Sequence, residues 1–300
     1  QYILASAYDF GEKGLAVDKA KAAEWYLKAA ENGDEMGMFA IAELYGAGIG
    51  VKKDAAVAAK WMLAAAQNDH VDAYFQLADM YRSGNGIVRD LVQARKWYGR
   101  SAEAGEPDGM YALAQMMERG LGGPQDPGRA VRWYLKAAEN GFAEAQFVLA
   151  ERYEYGEGVA QSYEAAARWY AKAASQGHTT ALDRLAALEY YGDGTPRNLE
   201  AHEEHLRTAA VAGDALSQMN YASCLYERTA QADNIAEVIE WLSKSAESGY
   251  SPAMLQLGDI YSDGEFVPTN KVEATKWYGK ALQRGLMEAR DALMSLDDDL

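Results

Sequence analysis

The sequence predicts an all-α fold, an α/α solenoid of antiparallel helix pairs with a 36-residue period. Three observations carry this reading. The seven tryptophans stand at Trp25, Trp61, Trp97, Trp133, Trp169, Trp241 and Trp277, with successive gaps of 36, 36, 36, 36, 72 and 36 residues, and His205 sits at the midpoint of the double gap. Seven residues before each of these markers stands a side chain able to cap a helix. Eight residues after it stands a glycine, in every unit but one. Self-similarity at a fixed period of this size marks a repeat array.

Each element of the unit follows from its residues. Asp18, Asp54, Asp90, Asp126, Ser162, Asn198, Asn234 and Asn270 can each accept a hydrogen bond from the free N–H groups of a starting helix. Gly33, Gly105, Gly141, Gly177, Gly213, Gly249 and Gly285 suit the left-handed residue that closes one, and Asp69 takes that place in the second unit. Cap, marker and glycine bracket one helix of about four turns, helix B. Within it Ala22, Tyr26 and Ala29 recur as Ala94, Tyr98 and Ser101 and as Ala130, Tyr134 and Ala137. Spacings of three and four put them on one face, where small residues admit a close neighbour. A second periodic segment, helix A, follows each glycine and is clearest over 143–153, where Leu149-Ala150 repeats Leu77-Ala78 and Leu113-Ala114. A Gly-x-Gly loop then leads to the next cap: Gly48/Gly50, Gly84/Gly86, Gly120/Gly122, Gly156/Gly158 and Gly192/Gly194. No segment shows the strict alternation of a half-buried strand, so no sheet is expected.

The unit running from Asp126 through Ala130, Trp133-Tyr134, Ala137-Ala138 and Gly141 to Leu149-Ala150 and Gly156/Gly158 resembles the Sel1-like repeat. That family is a cousin of the tetratricopeptide repeat with a longer, glycine-bearing loop. The likeness covers nearly the whole chain, read as one solenoid domain over 1–300. Residues 1–17 form a half repeat, followed by units 18–53, 54–89, 90–125, 126–161, 162–197, 198–233, 234–269 and 270–300. The resemblance implies a right-handed superhelix with a concave face. It also implies a non-catalytic adaptor or scaffold that binds a partner protein or peptide and carries no cofactor. In bacteria such proteins serve envelope assembly, signalling or host contact, which favours the envelope or periplasm over the cytoplasm. Some relatives staple their repeats with disulfides; here Cys224 stands alone.

Charge narrows the partners. With 45 Asp+Glu against 29 Lys+Arg the net charge is −16. A nucleic-acid binder needs a basic footprint, so nucleic acid is excluded and a neutral or basic partner expected. No stretch approaches the roughly 18 apolar residues of a membrane helix, so this segment is not expected to insert. The chain begins at Gln1 and not Met, and residues 1–17 are a helix A without the helix B that would precede it. That end is expected to expose apolar surface and to have been cut from a longer protein.

No motif assembles catalytic chemistry. Gly46-Ala-Gly-Ile-Gly50 has the spacing of a dinucleotide loop but lacks the preceding strand, and it recurs as a linker. His202-Glu-Glu-His205 differs from the zinc-protease pattern, which needs histidines four apart, and no further ligands accompany it. His70 and His178 sit at inter-helix turns. Cys224 reads as a small buried hydrophobe. The tryptophans read as a core stripe, an open stacking platform being the alternative. No catalytic residue and no metal site are assigned.

In the related tetratricopeptide architecture helix A lines the groove. Carried over by register, groove positions fall 14 and 18 residues after each marker. The first row is Phe39, Phe75, Tyr111 and Phe147, continuing as Asp183, Met219 and Leu255. The second is Glu43, Asp79, Gln115 and Glu151, continuing as Ala187, Ser223 and Asp259. Apolar anchors flanked by charge suit a peptide with basic and apolar residues. The competing reading has the aromatic row wedged between repeats and the acids facing water.

The sixth unit, 198–233, departs from the pattern. His205 replaces Trp, His202 replaces Ala, Arg228 and Ala230 replace loop glycines, and Glu189 stands where Tyr45, Tyr81 and Tyr153 stand elsewhere. Glu189, His202 and His205 are expected to face one another as a pH-sensitive cluster, stiffer in mild acid; a merely decayed repeat is the alternative. A small-ligand or metal site here, on a regulator or enzyme-associated subunit, is the second functional reading. At the C-terminal end Asp297-Asp-Asp299 opposes the helix dipole and is expected to fray.

Overall fold

A computed structural model of the chain describes residues 1–228 and 234–298. The expectations for Arg228 and Ala230 as substitutes for loop glycines, and for fraying at Asp297-Asp-Asp299, fall outside the described residues and side chains. The described residues form α-helices and no strand. The chain divides into two compact units, Gln1–Leu149 and Ala150–Leu300.

The first unit holds α1 (Tyr2–Phe10), α2 (Lys19–Glu31), α3 (Glu35–Ala47), α4 (Ala55–Gln67), α5 (Val71–Ser83), α6 (Leu91–Glu103), α7 (Pro107–Arg119) and α8 (Pro127–Glu139), with α9 (Ala143–Tyr155) contributing to both units. The second continues with α10 (Tyr163–Ala174), α11 (Thr179–Tyr191), α12 (Leu199–Val211), α13 (Ala215–Arg228), α14 (Ile235–Glu247), α15 (Ser251–Asp263), α16 (Lys271–Gln283) and α17 (Glu288–Asp298). Odd-numbered helices are helix A of the repeat, even-numbered ones helix B. In the first unit α2 buries Ala22, Ala23, Tyr26, Ala29 and Ala30, and α8 buries Ala130, Tyr134, Ala137 and Ala138. In the second, α16 buries Ala274, Trp277, Tyr278 and Ala281. Alanines let the facing helix approach, and the ring fills what the methyl groups leave.

The caps form where the residue types place them. Asp126 Oδ1 accepts from the Arg129 N–H at 2.9 Å and Asn198 Oδ1 from Ala201 at 3.1 Å. Asn234 is the exception, making no side-chain cap bond at φ −113°, ψ 2°. A capping side chain reaches the first-turn N–H groups from an extended backbone, as Asn198 has at ψ 92°, and Asn234 is not extended. Asp69 adopts the left-handed φ of +62° that glycines hold in the other units. Asp tolerates this region better than most side chains, and Tyr74 and Arg100 each hold its carboxylate at 3.0 Å.

The loops need glycine for two reasons at once. Gly86 has φ +74°, and a Cβ there would fall onto the carbonyl oxygen of Ala55, in the first turn of α4. Gly122 stands in the same way against Leu91, in the first turn of α6. At these loops the second glycine therefore lets the linker lie directly on a helix start, which fixes how the consecutive pairs stack. At the beginning of the chain Ile3, Phe10 and Val17 stand exposed.

Candidate interaction surface

Helix A of the first unit carries both predicted rows. Phe39 on α3, Phe75 on α5, Tyr111 on α7 and Phe147 on α9 are each half-buried. One face of each of the first three rings is used inside the protein: Phe39 lies 4.6 Å from His70, Phe75 5.4 Å from Tyr98, and Tyr111 5.6 Å from Tyr134. These rings are thus wedged against neighbouring side chains while remaining only partly buried.

The polar row divides by role. Glu43 is exposed, with Gln76 donating to it at 3.3 Å, and Gln115 is half-buried. Asp79 is committed internally. It accepts the Tyr98 hydroxyl at 2.5 Å and pairs with Arg82 at 2.7 Å. Burial and this carboxylate together hold the Tyr98 phenol well above the ordinary tyrosine range. The arrangement recurs, with Tyr134 donating to Glu118 at 3.0 Å and, in the second unit, Tyr170 to Glu154 at 2.5 Å and Tyr278 to Asp259 at 2.8 Å. These clasps were not foreseen. Their signal was present: the tyrosine after the tryptophan, with an acid 16 or 19 residues earlier.

In the second unit the same register turns acidic and recessed. Burial raises the Glu151 carboxyl, while Arg184 and Arg152 oppose the rise. Burial likewise raises Asp259 and pushes Asp183 up to about 6, where the Ser217 hydroxyl opposes and Asp214 reinforces the shift. Ser217 is fully buried and donates toward both acids, 2.6 Å from Asp183 and 2.8 Å from Asp214. Asp183, Tyr190, His202, Asn220, Cys224 and Glu227 line a cleft of about 250 Å³. A second cleft, about 460 Å³, is lined by Ser223, Tyr226, Gln256, Asp259 and Asp263 and shares Ser223 and Glu227 with the first. Cys224 is half-buried at a cleft wall, not sunk in the core as expected; a shallow groove position leaves its thiol at the surface of the packing.

Of the cluster expected in the sixth unit, two members meet. His205 Nδ1 lies 2.9 Å from Glu189 Oε2. His202 turns elsewhere: its Nδ1 is 2.8 Å from the Ala186 carbonyl oxygen, and its ring is 5.1 Å from Tyr190. The two histidines share a helix face, but His202 is held by the backbone carbonyl of Ala186 and not by the Glu189 carboxylate. Among the described residues no group of three or more His, Cys, Asp or Glu side chains is placed to hold a metal ion. No described helix is long and apolar enough to cross a membrane.

Trp97 and Trp277 are buried in the core, as the core-stripe reading expects, and the other tryptophans are partly exposed. Trp25, Trp133, Trp169 and Trp241 are half-buried. The lysine three residues on covers each outer face, with its ammonium 4.2, 4.3, 3.9 and 3.9 Å from the ring centre. Such cation–π contacts add about 0.5–1 kcal/mol each where exposed.

Comparison with known proteins places these features. The Sel1 repeat model matches residues 1–34, 36–70, 71–106, 107–142, 143–178, 179–213, 215–250 and 251–286, each match taking a helix A, its loop and the following helix B. The crystal structure of a protective antigen present in uropathogenic Escherichia coli strains, displaying an SLR fold, is 30% identical with a TM-score of 0.91; the match covers 100% of this chain and 64% of that one. A Sel1 repeat protein from Oxalobacter formigenes is 29% identical with a TM-score of 0.77, covering 98% of this chain and 85% of that one. No curated protein matches the chain.

Proposed function

The chain belongs to the Sel1 repeat family, and from that membership we propose that it is a scaffold holding a partner's extended segment against its helix A surfaces. Proteins built of these repeats are generally non-catalytic interaction scaffolds. The observation that carries the finer reading is the pairing, at one register, of half-buried aromatic rings with acidic and amide side chains. In the first unit Phe39, Phe75, Tyr111 and Phe147 offer apolar anchors beside Glu43, Asp79 and Gln115. In the second, Glu151 and Asp259 carry the acidic character, with Asp183 recessed in a cleft and Glu227 exposed at its edge. A segment alternating basic and apolar side chains complements both surfaces, and the net charge of −16 favours its approach. The likeness to an antigen of uropathogenic E. coli, of whose length the chain spans 64%, supports a bacterial envelope or host-contact setting.

Selection from a displayed random-peptide library tests this. Peptides enriched in Lys or Arg alternating with Leu, Phe or Trp are expected. Replacing Glu43 and Gln115 together by Lys should weaken the selected peptides by about tenfold or more and flatten their salt dependence. Asp79 is left in place because it holds Tyr98. Selected peptides that bind the double variant with unchanged affinity and salt slope would refute the assignment.

A further inference from the structure

One unit lacks its tryptophan and carries His205 in its place. Beside His205 the second unit opens a cleft of about 540 Å³, within the roughly 300–1,000 Å³ of small-ligand sites. Ala171, Ser175, Leu182, Glu189 and His205 form much of its wall. Three repeats earlier the equivalent residues are Leu63, Gln67, Tyr74, Tyr81 and Trp97. There Trp97 is buried to 5% exposure and stacks on Tyr74 at 5.8 Å, beside Leu63, Gln67 and Tyr81. Ala171, Ser175, Leu182 and Glu189 in the fifth unit and His205 in the sixth are each smaller than the counterpart three repeats earlier, and all five line the cleft.

The chemistry of the wall matches such a ring. Ala167, Ala171, Leu182 and Leu185 supply apolar surface, while the Glu189 carboxylate and the Thr195 hydroxyl supply acceptors. The Thr195 oxygen is buried and has no hydrogen-bond partner, an arrangement that costs free energy until a donor reaches it. An indole brings both a flat apolar body and one N–H donor. We propose that this cleft receives a tryptophan side chain from a partner polypeptide, in the position that Trp97 fills in the third unit. The site shares no residue with the helix A rows, so it stands or falls independently of the peptide surface proposed above.

N-acetyltryptophanamide, a peptide-like indole, is the probe. Titrated into the uniformly ¹⁵N-labelled chain, it is expected to shift amides of 164–175, 182–195 and 205 saturably, with a Kd in the millimolar range. N-acetylalaninamide should shift none of them. His205→Trp restores the intrinsic indole and Ala171→Leu narrows the cleft. Each should weaken probe binding by about tenfold or more with helical circular dichroism unchanged. The second variant keeps the test decisive if the first fails to fold. Absence of saturable shifts, or binding that persists in Ala171→Leu, overturns the proposal. Sedimentation gives the remaining outcome: dimers of the unmodified chain that His205→Trp abolishes would assign the cleft to a second copy, and would overturn the partner reading.

Discussion

Asp183 shows how a single side chain can record its surroundings as a pH dependence. Burial, with Asp214 nearby, outweighs the hydrogen bond from Ser217 and raises its carboxyl to about 6. The folded chain thus holds this proton more tightly than the unfolded chain, where an aspartate titrates near 3.9. The group's contribution to stability is fully present below about pH 4 and is lost as pH rises toward 6. Its partial exposure limits the loss at pH 7 to on the order of 1–2 kcal/mol. Asp183→Asn should therefore raise the urea midpoint at pH 7 and change it much less at pH 4.5. Equal effects at the two values would mean the carboxyl is not perturbed. None of this was legible in the sequence, where Asp183 is only the first non-aromatic member of a row. Its neighbours Ser217 and Asp214 lie about one repeat away and are brought to it by packing.

At the scale of the element, loop glycines separate two demands that sequence alone runs together. Gly86 needs both a positive φ and the absence of a Cβ, because the Ala55 carbonyl occupies that space. Gly141, after α8, has φ +88° but open space around it. Gly141→Ala should cost about 1–2 kcal/mol, the ordinary penalty of a left-handed alanine. Gly86→Ala adds a steric clash and should cost about 3 kcal/mol or more. Chemical denaturation of the two variants measures the difference, and equal losses would show that the loop can shift off α4. Periodicity located both glycines and the start of each helix B. It could not say which of them touch a neighbour, and it placed a side-chain cap at Asn234 that the local backbone does not support.

For the whole molecule the dominant long-range property is charge. A net charge of −16 on 300 residues should steer basic partners and repel polyanions. The association rate of a selected basic peptide is expected to fall about tenfold or more between low and high salt, with the dissociation rate changing far less. Stopped-flow kinetics at several ionic strengths would show it; a salt-independent association rate would remove steering from the account.

The tryptophan spacing, the capping side chains and the Gly-x-Gly loops by themselves determined the all-α repeat and the family. These are local or periodic properties: a cap, a left-handed closure and an apolar face at a spacing of three and four are written in consecutive residues. Only the tertiary structure decided what each polar side chain does. Asp79 and Asp259 clasp tyrosines, Glu43 stays in water, Glu189 meets His205 and not His202, and His205 lines a cleft with Ala171 and Leu182. The physical reason is that hydrogen bonding and burial act over a few ångströms between residues one or more helices apart, and a period reports where a residue sits along the chain but not which atoms will face it across the packing.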